Sequence, residues 1–438
     1  MQRLQPKIGL ATIVSSYEVG GEKVEALQRQ AARALADAGM QIVVGKEIVD
    51  SDENGIDVGR EISSQDPDAI CILYGTYADD TFATTVLEQC NIPAIVWGTN
   101  DFDTGSIAGA QQVSEVLTET GRYYKLVFGN IDDRRAIDEV AMTARAASAR
   151  KWFVNSRVGV IGYPRIKGQT QAAFDELELH EKFGCRIVGI GTHRFVTLKD
   201  QVLEEEARQL WLKASNGIRK SSVSDEQIVE SARAYLAMKK LVLDYKLDAV
   251  AFEDWFEFIG LPNLAFSLLN DEGVPAACEA DVHSALTMCL LALLTGKPSF
   301  HGELLGILED KDALLVAHYG AGAPSLAKSK EEIRFEADRS PRGRGVSIVY
   351  EIEHGPVTVA SLTGRRGSYR MLIAPGESIP AREVFHGGIF ANVRFRANHR
   401  EVLQKAKGMS HHWLLGIGDV SGELVEYCEM SGIKPVVV

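Results

Sequence analysis

Two textures along the chain predict an α/β protein: two doubly wound parallel-sheet domains followed by a β-rich, antiparallel barrel-like C-terminal domain. Over roughly the first 300 residues, near-continuous apolar runs alternate with amphipathic stretches, the pattern of parallel strands covered by helices on both faces. Beyond that, β-branched and alternating runs are joined by glycine-containing links, the pattern of antiparallel strands. The length of 438 residues exceeds one ordinary core.

In the first domain, placed at 1–153, strands are expected at Ile8–Ile13, Gln41–Val44, Ala69–Tyr74, Ala94–Trp97 and Lys125–Phe128. Amphipathic stretches such as Glu22–Ala38 and Ser106–Thr120 separate them as helices. The second domain, 154–298, restarts the pattern at Arg157–Gly162 and Arg186–Ile190 and continues through polar helices near 196–215 and 225–245. Two further strand-like runs, Asp248–Phe252 and Val274–Cys278, precede the apolar helix Val282–Leu294, which Gly296-Lys297-Pro298 ends. The third domain, 299–438, carries strands at Val346–Glu353, Val357–Leu362, Tyr369–Ile373, Ile389–Arg396 and Trp413–Ile417. It closes on a helix near 421–430 and a strand at Pro435–Val438.

Composition narrows the function. Forty-seven basic against 60 acidic residues leave a net charge of −13, which argues against nucleic acid or an anionic membrane as partner. Six scattered cysteines form no CxxC pair, so buried free thiols in a reducing compartment are expected, with neither a disulfide framework nor a thiolate zinc site. The N-terminal segment lacks a signal-type apolar region, and the longest apolar run, Ala285–Leu294, is far short of the roughly 20 residues that span a bilayer. A cytoplasmic location is the expectation.

The chemistry concentrates at the ends of two strand-like runs. Glu253-Asp254-Trp255-Phe256-Glu257 follows one, and Glu279-Ala280-Asp281 follows the other. Ligands bind at the carboxyl ends of strands in open parallel sheets, so these acids would face one another across a crevice. Such a concentration of negative charge calls for a cation, and hard divalent ions take oxygen ligands, with imidazole acceptable to manganese. His411-His412, leading into an apolar strand, are the best-placed imidazoles among ten histidines. Each feature also has a plainer reading. Glu253-Asp254 suits a helix N-terminus, Glu279 and Asp281 suit the cap of the following helix, and paired histidines occur on surfaces and in cores.

Several motifs together resemble the L-fucose isomerase and L-arabinose isomerase superfamily. The run Gly260-Leu261-Pro262, then Leu268 through Cys278-Glu279-Ala280-Asp281, Ala285-Leu286-Thr287-Met288 and Leu294-Thr295-Gly296 is similar to its metal-binding segment. Ala94–Gly98, Gly105 and Val127–Asp133 are similar to the first domain of L-fucose isomerases, Phe183–Val188 to the second, and His411–Val420 to the C-terminal histidine motif. The likeness covers essentially the whole chain in order.

That resemblance implies a metal-dependent aldose–ketose isomerase working on an open-chain monosaccharide through an ene-diol, with Mn²⁺ as cofactor and Mg²⁺ or Co²⁺ as alternatives. It also implies a homo-oligomer whose active site lies at a subunit interface. In the fucose-isomerase pattern the metal ligands map to Glu257, Asp281 and His412, with Glu257 and Asp281 also catalytic. In the arabinose-isomerase pattern the acids would be Glu253 and Glu279, again with His412. The first set is the expected one, leaving Glu253, Glu279 and His411 to contact substrate, together with Trp97, which matches a substrate-stacking tryptophan. The arabinose pattern's additional histidine has no counterpart in Leu304–Leu308, although His301 and His318 lie nearby.

The segment Thr12–Tyr17 lacks the arginine of L-fucose isomerases, which points to another aldose. The basic hairpin around Arg366 suggests an anionic one, such as a sulfonated sugar, with a solvated tip as the plainer reading. An epimerase or aldolase with the same ligands is the alternative, and a non-catalytic sugar-binding protein a more distant one. A nicotinamide dehydrogenase is disfavoured because no first strand leads into a GxGxxG turn.

Overall fold

The structure, a computed structural model, describes residues 4–162, 170–221, 223–255, 257–340, 342–380, 385 and 387–438. Phe256, within the first acidic segment, lies outside them. The chain divides into two compact units, one of Leu4–Trp152 with Glu429–Ser431 and the other of Phe153–Cys428 with Gly432–Val438.

The first unit is a parallel five-stranded sheet of β1 (Lys7–Ile13), β2 (Gln41–Val44), β3 (Ala69–Tyr74), β4 (Ala94–Gly98) and β5 (Tyr124–Phe128), in the order β2-β1-β3-β4-β5. β3 and β4 are buried along their whole length because helices cover both faces, so neither strand shows polar alternation. Helix Asp52–Ser64 starts at a capping box in which Ser51 accepts from the Asn54 backbone and Asn54 reciprocates.

The second unit contains two sheets. β6 (Arg157–Ile161), β7 (Arg186–Ile190), β9 (Ala249–Phe252) and the short β10 (Ala276–Ala277) form a parallel sheet in the order β10-β9-β6-β7. Among its flanking helices, Asp225–Tyr245 begins at a Ser224–Gln227 capping box.

The remaining strands are β8 (Arg219–Ser221), β11 (Phe300–Leu308), β12 (Ala313–His318), β13 (Arg334–Ala337), β14 (Val346–Glu351), β15 (Gly355–Arg365), β16 (Ser368–Ile379), β17 (Ile389–Phe395), β18 (His412–Ile417) and β19 (Lys434–Val437). They form a ten-stranded sheet, within which β16-β15-β18-β11-β12-β17 pair antiparallel, and β17 pairs back onto β16. That last pairing closes six strands into a barrel and leaves them without free edges. β8 joins the far end of this sheet by pairing with β13, although the sequence places it between two helical stretches. The fold is thus α/β with a β-rich C-terminal region, as the two sequence textures predict.

Helix Val282–Thr295 packs against β9 and β10 on one side and β15 and β18 on the other. Val282 through Leu294 are all buried, which explains why this helix is apolar all round rather than on one stripe. Its N-terminus therefore stands where the parallel sheet and the barrel meet, and the acidic strand ends are delivered to that point. Among the described residues no helix is long and apolar enough to cross a membrane.

Candidate active site

The two acidic segments lie at the carboxyl ends of β9 and β10, which are adjacent and parallel. Backbone and side chain lock the two loops together: Ala280 N–H donates to Phe252 O at 2.9 Å, and Glu279 N–H donates to Asp254 Oδ1 at 2.6 Å. Glu279 and Ala280 both adopt left-handed backbone, with φ of 57° and 50°. For residues with a Cβ, each such conformation costs about 1–2 kcal/mol, a strain held by surrounding structure and typical of ligand sites. The turn aims Glu279 inward, where it is buried. On the β6 side, Gly162 has φ +107°, and a Cβ there would come within 2.5 Å of the Glu253 side chain, so glycine makes room for that carboxylate.

The barrel supplies the opposite wall. In the antiparallel pair β11–β18, Glu303 stands directly across from His412. His301, two residues before Glu303, shares its strand face. Glu279, Glu303, His411 and His412 bring ligand atoms within 4.8 Å of one another. His411 Nε2 lies 3.4 Å from Glu279 Oε2 and 3.3 Å from Glu303 Oε1, and His412 Nε2 lies 3.4 Å from Glu279 Oε2. Behind His412, its Nδ1 meets Asp281 Oδ2 at 2.7 Å. The same carboxylate caps helix Val282–Thr295, accepting from Ser284 N at 3.1 Å and Ser284 Oγ at 2.7 Å.

Charge and burial set the protonation states. Burial alone would neutralise Glu279, yet contact with His411 and His412 holds its carboxyl well below the usual range. Asp281 is likewise held low against burial by His412. Burial disfavours a charged His412, but Asp281 and Glu279 overcome that and raise it to about 10. Glu279 and Glu303 raise His411 to about 9. Asp254 is the exception among the carboxyls: burial and repulsion from Glu279 push it up to about 7.

Two atoms at the centre, Glu279 Oε2 and His412 Nε2, are buried with no hydrogen-bond partner among the described residues. Orphaned polar atoms in a native core call for an explanation. Two carboxylates and two imidazoles facing one gap fit a divalent cation that accepts oxygen and nitrogen ligands, and a dication would satisfy both orphans.

The sequence-predicted residues scatter accordingly. Asp281, His412, Glu279 and His411 come together. Glu257 is exposed on the turn after β9 and belongs to neither group of clustered ligands. Glu253 is half-buried at the end of β9. Trp97 lies in the first unit, fully buried on β4, with Nε1–H donating to Gly129 O at 2.9 Å. Arg366 sits at the exposed tip of the β15–β16 hairpin with φ 58°, its backbone N–H donating to Glu178 Oε2 at 2.9 Å.

Glu303 was not singled out by the sequence, and His301 and His318 only as histidines near the segment of the arabinose pattern's additional ligand, although the His-x-Glu spacing of residues 301–303 places two side chains able to ligate on one strand face. A second cluster unites Cys278, His301, His318 and His412.

No family model matches the chain. Among curated proteins, the sulfoquinovose isomerase of Alkalicoccus urumqiensis is 27% identical over 396 residues, covering 86% of this chain and 87% of that protein. That of Priestia aryabhattai is 26% identical over 384 residues, covering 82% and 83%. The L-arabinose isomerase of Nocardioides sp. (strain ATCC BAA-499 / JS614) is 22% identical over 369 residues, covering 79% and 73%. With fold, motif order and relatives in agreement, the chain is similar along most of its length to the fucose and arabinose isomerase-like superfamily of sugar isomerases, which are intramolecular oxidoreductases.

Proposed function

We propose that this protein is a Mn²⁺-dependent aldose–ketose isomerase that works through an ene-diol, with Glu279, Glu303 and His412 as the metal-holding set. The observation that carries this reading is the convergence of those three residues and His411 on one gap, with Glu279 Oε2 and His412 Nε2 buried and lacking hydrogen-bond partners. When bound, the cation supplies Lewis-acid polarisation of the sugar's carbonyl and adjacent hydroxyl.

The chain's own groups do the rest. Asp281 takes the His412 Nδ1–H, which fixes the tautomer and turns Nε2 toward the gap. Glu303, with its side chain 26% exposed, is the carboxylate that substrate can reach, while Glu279 lies deeper. In this reading Glu303 removes the proton from C2 of the open-chain aldose, exchanges it with solvent at the ene-diol stage and delivers a proton to C1, while the O2 hydroxyl proton passes to O1. His411, 41% exposed and 3.3 Å from Glu303 Oε1, stands at the mouth, where its imidazole can donate to the oxygen on which charge develops. Strain in the Glu279–Ala280 turn and the buried helix behind Asp281 hold these groups in place.

A second layer of the reading concerns substrate. Sulfonated aldoses are favoured by the names of the first relatives and by the paired Arg365 and Arg366 at the hairpin tip. Burial lowers His283, two residues from Asp281, and Arg365 adds to that, while the Arg365 guanidinium donates to Thr170 O at 3.0 Å. Guanidinium forks suit such anions.

The test is a panel of neutral and sulfonated aldoses incubated with Mn²⁺ in D₂O and followed by proton NMR. Mn²⁺-dependent ketose carrying deuterium at C1 is the expected product. Absence of Mn²⁺-dependent turnover on every aldose rejects the isomerase reading. Equal rates on neutral and anionic sugars, unchanged by Arg366→Ala, remove the anionic preference alone.

A further inference from the structure

We propose that Arg342 and Arg344 read the anionic end of the sugar substrate, a sulfonate or phosphate borne on the carbon chain away from the carbonyl. This rests on the anionic-aldose part of the reading above and names the residues that carry it.

The two arginines sit on a strap between β13 and β14, and its hydrogen bonds hold it tightly. Asp338 is the hub. Its Oδ1 accepts from Ser340 N at 3.0 Å and from Ser340 Oγ, while Oδ2 accepts from Asn263 Nδ2 at 2.8 Å and Ser347 Oγ at 3.3 Å. Asp338 N–H donates to Gly345 O at 3.0 Å and Gly343 N–H to Ser340 O at 2.9 Å, which closes the strap on itself. A Cβ at Gly343 would strike the Asp338 carboxylate, and one at Gly345 would strike Gly260 O, so glycine is what allows this path. Loops fixed on a rigid scaffold in this way are frequent carriers of binding residues.

The strap borders the candidate site through two neighbours. Arg344 N–H donates to Ile259 O at 3.3 Å, on the same loop as Asp254, whose carboxylate accepts from Glu279 N. A Cβ at Gly387 would come within 2.7 Å of Arg339 Cδ, and one at the next residue, Gly388, would strike His318 O.

Charge singles out two guanidiniums. Arg339 pairs with Glu336 at 2.8 Å, whereas the exposed side chains of Arg342 and Arg344 have no ion-pair or hydrogen-bond partner among the described residues. In a chain of net charge −13, two unneutralised arginines separated by a single glycine suit an oxyanion. At the β15–β16 hairpin tip Arg365 already donates to Thr170 O, which leaves Arg366 alone there.

The experiment is calorimetry on the full-length protein with Mn²⁺, using three open-chain polyols that lack a carbonyl and so are not turned over: sorbitol, its 6-phosphate and the corresponding 6-sulfonate. Tighter binding of an anionic probe than of sorbitol is expected, and the probe that gains identifies the anion. That preference is expected to fall about ten- to a hundredfold in Arg342→Gln and in Arg344→Gln, the scale of a hydrogen bond to a charged group. Arg344→Lys, which keeps the charge without the fork, is expected to lose less. Sorbitol binding should stay within about twofold throughout, since these are surface changes. A wild-type protein without the preference overturns the proposal, as does a preference untouched by Arg342→Gln and Arg344→Gln. One that falls only in Arg366→Ala assigns the anion to the hairpin tip and overturns it too. Turnover of aldoses is read in parallel with Mn²⁺. A strap-dependent preference in a protein that isomerises no aldose rejects the isomerase reading and leaves the strap standing; turnover with no anion preference does the reverse.

Discussion

Asp281 Oδ2 and His412 Nδ1 lie 2.7 Å apart, both side chains almost wholly buried, one at the start of a helix and the other at the start of a barrel strand. The pair fixes which imidazole nitrogen faces the candidate metal gap. Asp281→Asn retains an oxygen to cap the helix but takes the charged partner from buried His412, so the melting temperature is expected to fall as well. Orientation and basicity of His412 are not retained. Mn²⁺ affinity is expected to fall about 10–100-fold, measured by calorimetry beside a melting curve. Undiminished affinity would show that Asp281 only caps the helix.

The same pair makes metal binding pH-dependent. Burial opposes the His412 charge, yet Asp281 and Glu279 raise the group to about 10 from its ordinary 6.5. A group raised on folding stabilises the metal-free protein fully below its unfolded value, and that contribution fades as pH climbs toward 10. Mn²⁺ must displace the Nε2 proton, so affinity is expected to rise with pH between about 6 and 9, by up to about tenfold per unit for each proton released. Calorimetry in buffers of different ionisation heat reads the proton directly. A pH-independent affinity without proton release contradicts the assignment of His412.

Much of this architecture was legible in the sequence, for identifiable reasons. β3, β4 and β9 are uninterrupted apolar runs because both sheet faces are covered, and β15 through β17 alternate or branch because they pair in a barrel. Asp281 and His412, which the sequence puts forward from element boundaries within distinctive motifs, are brought together in the structure. Glu303 was not put forward, since its place opposite His412 arises from barrel register across a long stretch of chain. His301 and His318 are ordinary strand residues in sequence and acquire meaning only where β11 and β12 meet the end of β10. The strand Arg219–Ser221 was hidden for a similar reason: three residues between helices declare no partner.

Glu257 and Glu303 offer a direct discrimination between motif and geometry. Glu303 faces His412 and His411, whereas Glu257 is exposed outside the cluster. Glu303→Gln and Glu279→Gln are expected to lower Mn²⁺ affinity by more than about 100-fold, because each removes a charged oxygen ligand. Glu257→Gln is expected to stay within about twofold of wild type, a surface change. Mn²⁺ binding followed by electron paramagnetic resonance ranks all three without reference to substrate. The reverse ranking returns Glu257 to the ligand set.

The scaffold behind the site depends on a buried amide. Asn263, at the start of helix Asn263–Asp271, donates through Nδ2 to Asp338 Oδ2 at 2.8 Å and to Ser347 Oγ at 2.9 Å, tying that helix to strand β14. Gly320 packs so closely on this residue that a Cβ there would come within 2.7 Å of Asn263 Cβ. Asn263→Ala removes both hydrogen bonds and leaves the half-buried Asp338 with Ser347 and Ser340 as its remaining donors. The expected cost is about 2 kcal/mol, read as a lower denaturation midpoint at unchanged slope. Mn²⁺ affinity should barely change, since the amide touches none of the clustered ligands. A variant as stable as wild type would mean that solvent replaces the lost donor, and that the helix is held by its apolar face alone.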